Sequence, residues 1–376
     1  MTNRPNDTLE PAFGYPLTTS YRLSREQLAA LLDMGGITPS GRLLSPVPAV
    51  ADPGSLLASS DLVSSDSTVV PILREALAII AQPVRVFHVI STVPGADDWA
   101  DLYLAAPPTG GPYVHGHQTE DGLDLTILAT ELEALTVIDQ ILRLTGFASQ
   151  AFEPDIALTL EGWVGLLAAV DVERQWNLKE QLERRVPSTG SFSSDDLSVH
   201  LAAGLNGKDT RWAVSAALPV SPVNLRDRAL DGEMLLGHLE SLQLVVPDGG
   251  VFRFSELGRH LAELITQAIV VGSLTLTLDH DGRLVRAGEI LVYRTPTRLA
   301  VGLWTGTAAD PVLTIVEPTG DFALGMIKKI LAAGVSVPQL RESTGAPICP
   351  NCGAESSPGG RFCTACGTAI RPGDPT

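Results

Sequence analysis

The chain has 376 residues, 44% of them apolar, and its 26 basic and 43 acidic side chains give a formal net charge of −17 at pH 7. This length and apolar content predict about two domains with ordinary buried cores and exclude a disordered chain. The acidic balance argues against nucleic acid as a partner, because phosphate binding requires a basic surface that releases counterions. No apolar run reaches the ~18 residues of a membrane helix, so we expect no membrane span.

The chain begins with a stretch rich in Pro, Thr and Asn, residues 1–19, which predicts a flexible N-terminus. It lacks the apolar segment of a secretion signal, so we expect a cytoplasmic location. The first predicted helix is SREQLAALLDMG, in which Ser24 and Gln27 have the spacing of a capping box.

Two faintly similar segments indicate an internal repeat. Near residue 60 the chain reads LASSDLVSSDSTVVPILREALAIIAQPVRVF, and near residue 240 it reads LESLQLVVPDGGVFRFSELGRHLAELITQAIVV. Both segments pass from a helix end through Leu-Val and a turn into an amphipathic helix. Further along, Leu125 lies 188 residues before Leu313, and Ile138 lies 189 residues before Ile327. The register therefore predicts two related halves, each ending in alternating strands and a closing helix.

These patterns predict an α+β fold of two pseudo-symmetric αβ repeats, each with a mixed or antiparallel sheet and covering helices. We expect the first repeat at residues 20–150 and the second at 151–335. A helical stretch, PDIALTLEGWVGLLAAVDVERQWNLKEQLER, is predicted between the halves, with Thr159 and Gly162 spaced as an N-cap pair. A linker at residues 336–347 follows the second repeat.

The order of segments in residues 20–335 carries a family resemblance. The set LLASSDLVSSDSTVVPILREALAIIAQPVRVFHVI, a strand region, LTLEGWVGLLAAVDVERQ and a second copy resembles the EspG-type chaperones of type VII (ESX) secretion in actinobacteria. The resemblance implies two related αβ halves and a cytoplasmic protein that keeps a secretion substrate soluble before export. It carries over no individual functional residue.

Within the second half, residues 230–264 follow the order of a winged helix: a helix, a Gly-Gly turn between short strands, and a second helix. Winged helices often bind DNA, so the alternative hypothesis is a regulatory protein that contacts nucleic acid through this element and the C-terminal ribbon. The presumed recognition helix, however, carries Asp231, Glu233 and Glu240 and only His238 as a basic group. The charges favour a packing or protein-binding role.

Candidate catalytic groups are few. His115, His117, Glu120 and Asp121 could bind a metal or serve an unrecognised hydrolase, but the stretch PPTGGPYVHGHQTEDG is more typical of a solvated loop. No phosphate-binding loop, nucleophile elbow, zinc-protease helix or dinucleotide fingerprint is present in the sequence. We therefore predict that the protein is not an enzyme. The five tryptophans are assigned by default to packing.

All four cysteines lie near the C-terminus, in CPNCGAESSPGGRFCTACG. Cys349 and Cys352 form one C-x-x-C pair, and Cys363 and Cys366 form the other, each pair being followed by a glycine that suits a tight turn. Four thiolates complete a tetrahedron for one structural zinc ion. Residues 348–370 resemble the short bacterial zinc-ribbon knuckles. The alternatives are two disulfides or a redox dithiol, which the cytoplasmic location and the absence of a surrounding βαβ context disfavour.

Taken together, the sequence predicts a cytoplasmic protein-binding adaptor or secretion chaperone. Its αβ body captures a segment of a partner protein, which under the resemblance is an ESX-type secretion substrate. The zinc ribbon adds a second contact, whose effective concentration is raised by the tether. The acidic charge favours a basic or neutral partner.

Overall fold

The computed structural model describes residues 18–332 except for positions 59, 65, 67, 97–98, 147–151, 186–189, 281–282 and 308. The chain divides into two compact units. Unit 1 comprises residues up to Val86 together with Tyr103–Val137, and unit 2 comprises Phe87–Leu102 together with the chain from Ile138 onward. The repeat boundary expected at residue 150 remains a sequence prediction.

The first half of the described chain begins with a strand and three helices. These are β1 (Thr18–Ser24), α1 (Arg25–Gly35), α2 (Pro53–Leu57) and α3 (Pro71–Ala81). Four strands and a helix follow: β2 (Arg85–Thr92), β3 (Trp99–Ala106), β4 (Tyr113–Gln118), β5 (Gly122–Leu128) and α4 (Glu131–Leu142).

The second half begins with a strand and a long helix, followed by a set of shorter elements. In chain order these are β6 (Phe152–Thr159), α5 (Leu160–Leu182), α6 (Ser194–Asn206), α7 (Ala213–Ala217), α8 (Gly232–Ser241), β7 (Val245–Asp248) and β8 (Val251–Phe254). A helix, four strands and a helix complete it: α9 (Glu256–Thr266), β9 (Val270–His280), β10 (Arg283–Arg294), β11 (Leu299–Gly306), β12 (Pro311–Glu317) and α10 (Gly320–Ala332).

Both halves start with a strand that enters a capped helix. Ser24 caps α1 and, with Gln27, forms the predicted capping box, while Thr159 caps α5 through the backbone N–H of Gly162. The two cap residues share the same backbone angles, φ −66° and ψ 164°. Later in each half the chain runs through one helix, four strands and a closing helix, at residues 71–142 and 256–332.

In unit 1, β1 pairs with β5, β5 with β4, and β4 with β3, all antiparallel. Helices α1 and α3 pack with one face of these strands. The core that they form includes Leu28, Leu31, Leu77, Ile80 and Leu125.

In unit 2 the strand order is β2, β9, β10, β11, β12 and β6. Helix α5 lies in the core of this unit, since its first fourteen residues, except Glu161, are buried. The ring of Trp163 meets that of Trp304 edge-on at 5.3 Å between centroids, and its indole N–H donates to the hydroxyl of Tyr293 at 3.3 Å. The same core contains Leu261 and Leu264 of α9, which the helical spacing of apolar residues predicted to face the core.

The structure corrects two sequence expectations. Residues 154–159 were expected to belong to the long helical stretch, but they are part of β6, because Ile156 and Leu158 alternate into the core and pair with Ile315 and Leu313 of β12. The stretch around His115 was expected to be a loop, but residues 113–118 form β4 between β3 and β5.

Helices α5, α6 and α8 and the β7–β8 hairpin have the order of a winged helix. Gly249 and Gly250 form the hairpin turn with φ of 62° and 94°, values that favour glycine. Phe192, which precedes α6, forms an antiparallel bridge with Phe252 of β8. The segment that the sequence singled out is therefore a hairpin between two helices, attached to the core helix α5.

Candidate functional site

The predicted zinc ligands Cys349, Cys352, Cys363 and Cys366 lie outside the described residues. Within the described residues, no group of three or more His, Cys, Asp or Glu side chains is placed to hold a metal ion. The zinc site therefore remains a prediction from the sequence.

The two histidines of β4 are not arranged as a catalytic pair. His115 is held by a hydrogen bond between its Nδ1 and the backbone oxygen of Tyr103 at 3.1 Å. His117 is exposed and lies in register with Asp124, whose carboxylate accepts from the Nε of Arg22 at 2.9 Å. Because the carboxylate of Asp124, which is opposite His117 in the ladder, is already paired with an exposed arginine, it does not orient His117 as a base.

His117 also lines an open groove of about 660 Å³ in unit 1. Arg25 at the start of α1, Glu120 in the β4–β5 turn and apolar residues such as Leu43 and Val47 complete this lining. Arg25, His117 and Glu120 are all exposed, so these charged and titratable side chains are not the buried, convergent polar groups of a catalytic pocket.

The buried charges of unit 2 connect its helices to one another. Asp171 of α5 accepts hydrogen bonds from the backbone N–H groups of Ala213 at 2.6 Å and Val214 at 3.0 Å, and so caps α7. Burial raises the pKa of Asp171 to about 6, although those two hydrogen bonds and Arg174 oppose the shift. Both carboxylate oxygens of Asp171 are therefore engaged by α7, and the Nη1 of Arg174 lies 3.6 Å from one of them, which indicates a structural role.

A second buried cluster fixes α9 to β12. The carboxylate of Glu317 accepts from Arg298 at 2.9 and 2.7 Å and contacts the Nε2 of His260 at 2.6 Å. Burial alone would raise the pKa of Glu317, but the hydrogen bonds from Arg298 and His260 outweigh it and lower the pKa. The arrangement holds the carboxylate ionised and fully bonded, which suits an anchor rather than a proton donor.

The exposed side of α8 is acidic. Glu233 and Glu240 are exposed beside Met234, which is 39% exposed, and the only basic side chain of the helix, His238, contacts the hydroxyl of Thr159 at 3.2 Å. In the adjacent hairpin, Arg253 lies 3.6 Å from the carboxylate of Asp248. This surface opposes a nucleic-acid contact, because no lysine or arginine is presented by the helix that would enter a groove.

Helix α5 changes from buried to largely exposed at Arg174. Before it the helix is buried, and Arg174 itself donates from Nη1 to the backbone oxygen of Arg211 at 2.6 Å and from Nη2 to that of Ile265 at 3.1 Å. Burial lowers the pKa of Arg174, and the nearby carboxylate of Asp171 acts in the opposite direction. Arg174 thus ties α5 to the loop before α7 and to the end of α9, and the helix continues for two more turns beyond this anchor.

The residues beyond the anchor, 175–185, are here called the α5 tip. Three large apolar side chains of the tip are exposed: Trp176 by 43%, Leu178 by 52% and Leu182 by 77%. The ammonium of Lys179 lies 5.3 Å from the ring centroid of Trp176, a distance that suits a cation–π contact. Isolated exposed apolar residues are common on protein surfaces, but Leu178 and Leu182 are four residues apart and form a patch on one side of the tip, while Trp176 is exposed on another side.

Sequence reasoning missed this patch. Trp176 was assigned to packing along with the other tryptophans, and the structure shows that this assignment was wrong. The available signal was the change from VGLLAAV, which contains no charge, to ERQWNLKEQLER, which places tryptophan and leucine among charged residues. Such a change marks the point at which a buried helix becomes solvated.

Comparison with known proteins gives a limited result. No family model matches the chain, and no curated protein matches it by sequence. Among solved structures, the chain is similar to the type VII secretion system chaperone EspG5 of Mycobacterium tuberculosis, determined in complex with a PE25–PPE41 dimer. The TM-score is 0.45 and the identity 12%, over 85% of this chain and 98% of that one. None of the helices in the described residues is long and apolar enough to cross a bilayer.

Proposed function

We propose that this protein is a non-enzymatic, cytoplasmic adaptor or secretion chaperone that binds a partner protein at the α5 tip. The observation that carries the proposal is the exposure of Trp176, Leu178 and Leu182 on a helix whose other end is the core of unit 2. A partner that covers one such side chain completely gains about 1.5–3 kcal/mol from its burial. The buried half of α5 holds the patch in one orientation, which reduces the entropy lost on binding.

The proposal includes a repeated architecture. Each half contains a strand that leads into a capped helix, and later a helix, four strands and a closing helix. We infer that the halves are pseudo-symmetric repeats, as the register of Leu125 with Leu313 suggests. The EspG-type resemblance of residues 20–335 supports this architecture and favours an ESX-type secretion substrate as the partner.

The C-terminal ribbon is proposed to bind one structural zinc ion through Cys349, Cys352, Cys363 and Cys366. Four thiolates leave no open coordination position, so the ion would stabilise the ribbon and would not activate water. The ribbon would provide a second, tethered contact to the same partner, which raises its effective concentration without requiring high intrinsic affinity.

The two alternatives are less well supported. The helix order around α8 favours the nucleic-acid hypothesis, but the exposed Glu233 and Glu240 oppose it. The hydrolase hypothesis relied on a loop that contains His115 and His117, whereas His115 is hydrogen-bonded to the backbone of Tyr103 on a strand.

The proposed function is tested by affinity capture from an actinobacterial cell lysate with three forms of the full-length chain. These are the wild type, the double variant Leu178→Asp/Leu182→Asp, and a control, Val199→Asp, at a site on α6 that is 66% exposed. We expect the wild type and the control to retain the same protein partner and the double variant to lose it. Retention of the same partner by all three forms, or capture of nucleic acid, would contradict the proposal.

A further inference from the structure

We propose that the α5 tip receives an acidic, amphipathic helix of the partner protein. This inference rests on the proposed function and specifies the chemistry of the partner segment. It replaces the expectation, drawn from the net charge of the whole chain, that the partner is basic or neutral.

The charge of the tip is opposite to that of the chain as a whole. Lys179, Arg184 and Arg185 carry positive charge there and Glu180 and Glu183 carry negative charge, so the tip has a net charge of +1 in a chain of −17. The Nε of Arg185 lies 3.3 Å from Glu183, and both side chains are exposed. An exposed pair of this kind is weak and can exchange for a partner carboxylate.

The cations lie next to the apolar residues. Lys179 stands over the ring of Trp176, and Arg184 and Arg185 follow Leu182 where the helix ends. Leu178 and Leu182 share one side of the tip, and Lys179 lies beside Leu182 at i, i+3 spacing. This side therefore matches a segment with leucine-like residues on one side and carboxylates at the margins. A basic segment would place its cations against Lys179 and the two arginines.

The spacing of the leucines favours a helical partner. Leu178 and Leu182 are four residues apart, so they form an i, i+4 ridge along one side of the tip, a surface that packs into the groove of another helix. An extended partner would need a free strand edge for its backbone hydrogen bonds, and the tip is helical up to Leu182. The geometry therefore fits helix-on-helix packing rather than strand addition.

The test uses two synthetic 18-residue helical peptides with the same leucine positions, one with glutamate and the other with lysine at the flanking positions. Binding of each fluorescently labelled peptide to the full-length protein is measured by anisotropy at increasing NaCl concentration. We expect the glutamate peptide to bind about tenfold more tightly than the lysine peptide at low salt, since about three exposed charge pairs form. The preference should shrink as salt screens those pairs.

Two variants separate charge from apolar contact. The triple variant Lys179→Glu/Arg184→Glu/Arg185→Glu should reverse the preference between the peptides. The double variant Leu178→Asp/Leu182→Asp should bind neither. Circular dichroism before each titration confirms that the variant is folded, and Val199→Asp serves as a control that should behave as the wild type.

Other outcomes overturn the inference. Equal binding of both peptides, lost in the leucine double variant, would refute the acidic partner but leave apolar capture by the tip standing. Binding of neither peptide would refute the helical acidic partner, and affinity capture would then decide the proposed function separately. Binding to phosphatidylglycerol vesicles but to neither peptide would assign the tip to a membrane surface.

Discussion

The carboxylate of Glu317 allows a quantitative prediction about how unit 2 is held together. Its side chain is 5% exposed and receives two hydrogen bonds from Arg298 and one from His260. In Glu317→Gln the amide retains one acceptor oxygen, and its NH₂ group faces donors of Arg298. Two charge-assisted hydrogen bonds are lost, at about 1.5–3 kcal/mol each before screening. Arg298 and His260 are 22% and 27% exposed, so water reduces the loss. We expect the free energy of unfolding to fall by about 3 kcal/mol.

The assay is urea unfolding at pH 7, followed by tryptophan fluorescence. All five tryptophans belong to unit 2, so the signal reports that unit without a contribution from unit 1. The control is Glu263→Gln on the exposed side of α9, for which we expect a change within about 0.5 kcal/mol. A loss below about 1 kcal/mol in Glu317→Gln, or one equal to that of the control, would refute the anchoring role.

The pH dependence gives an independent check on the same residue. The pKa of Glu317 is lowered in the folded protein, so its contribution is present above the pKa of the unfolded chain and is lost as the pH falls through the lower pKa of the folded state. The difference between the wild type and Glu317→Gln should therefore shrink below about pH 4. A difference that stays constant from pH 7 to pH 3 would contradict this account.

Four further predictions concern other sites. Gly122→Ala should destabilise unit 1 by about 2–3 kcal/mol in a circular-dichroism melt, because the added Cβ would lie 1.9 Å from the backbone oxygen of Leu23. Gly325→Ala on α10 should stabilise the protein by about 0.5–1 kcal/mol in the same melt, because the added Cβ would have no other atom within 4 Å. Burial raises the pKa of Glu289 to about 7, so the folded state binds a proton there that the unfolded chain does not. Between pH 8 and pH 6 the wild type should gain about 1 kcal/mol over Glu289→Gln in urea unfolding, and no gain would contradict that shift. Purified protein should contain one zinc ion per chain by elemental analysis, and Cys349→Ser should lose it; a metal-free wild type would refute the ribbon assignment.

Local sequence rules predicted several elements of the fold. Ser24 and Gln27 form the expected capping box, and the periodicity of Leu261 and Leu264 correctly indicated a core-facing helix. Gly249 and Gly250 form the expected turn between two short strands. In each case the determining interactions lie within a few residues of one another, so the sequence pattern contains them.

Non-local interactions explain what the sequence did not show. Residues 152–159 form a strand because β12 provides a partner more than 150 positions away. Trp176 is exposed because α5 leaves the core just after Arg174 binds the carbonyls of Arg211 and Ile265, which come from later parts of the chain. Neither the pairing of β6 with β12 nor the hydrogen bonds of Arg174 can be predicted from the composition of the segment itself. The candidate site could therefore be identified only from the structure.

The most direct test of the central claim is photo-crosslinking in living cells. A benzophenone amino acid is introduced in place of Leu182 in the α5 tip and, as the control, in place of Val199. Irradiation followed by mass spectrometry identifies what lies against each position. We predict that position 182 cross-links to one defined partner protein and that position 199 does not. The claim would be contradicted if both positions gave the same products, or if position 182 gave no protein product.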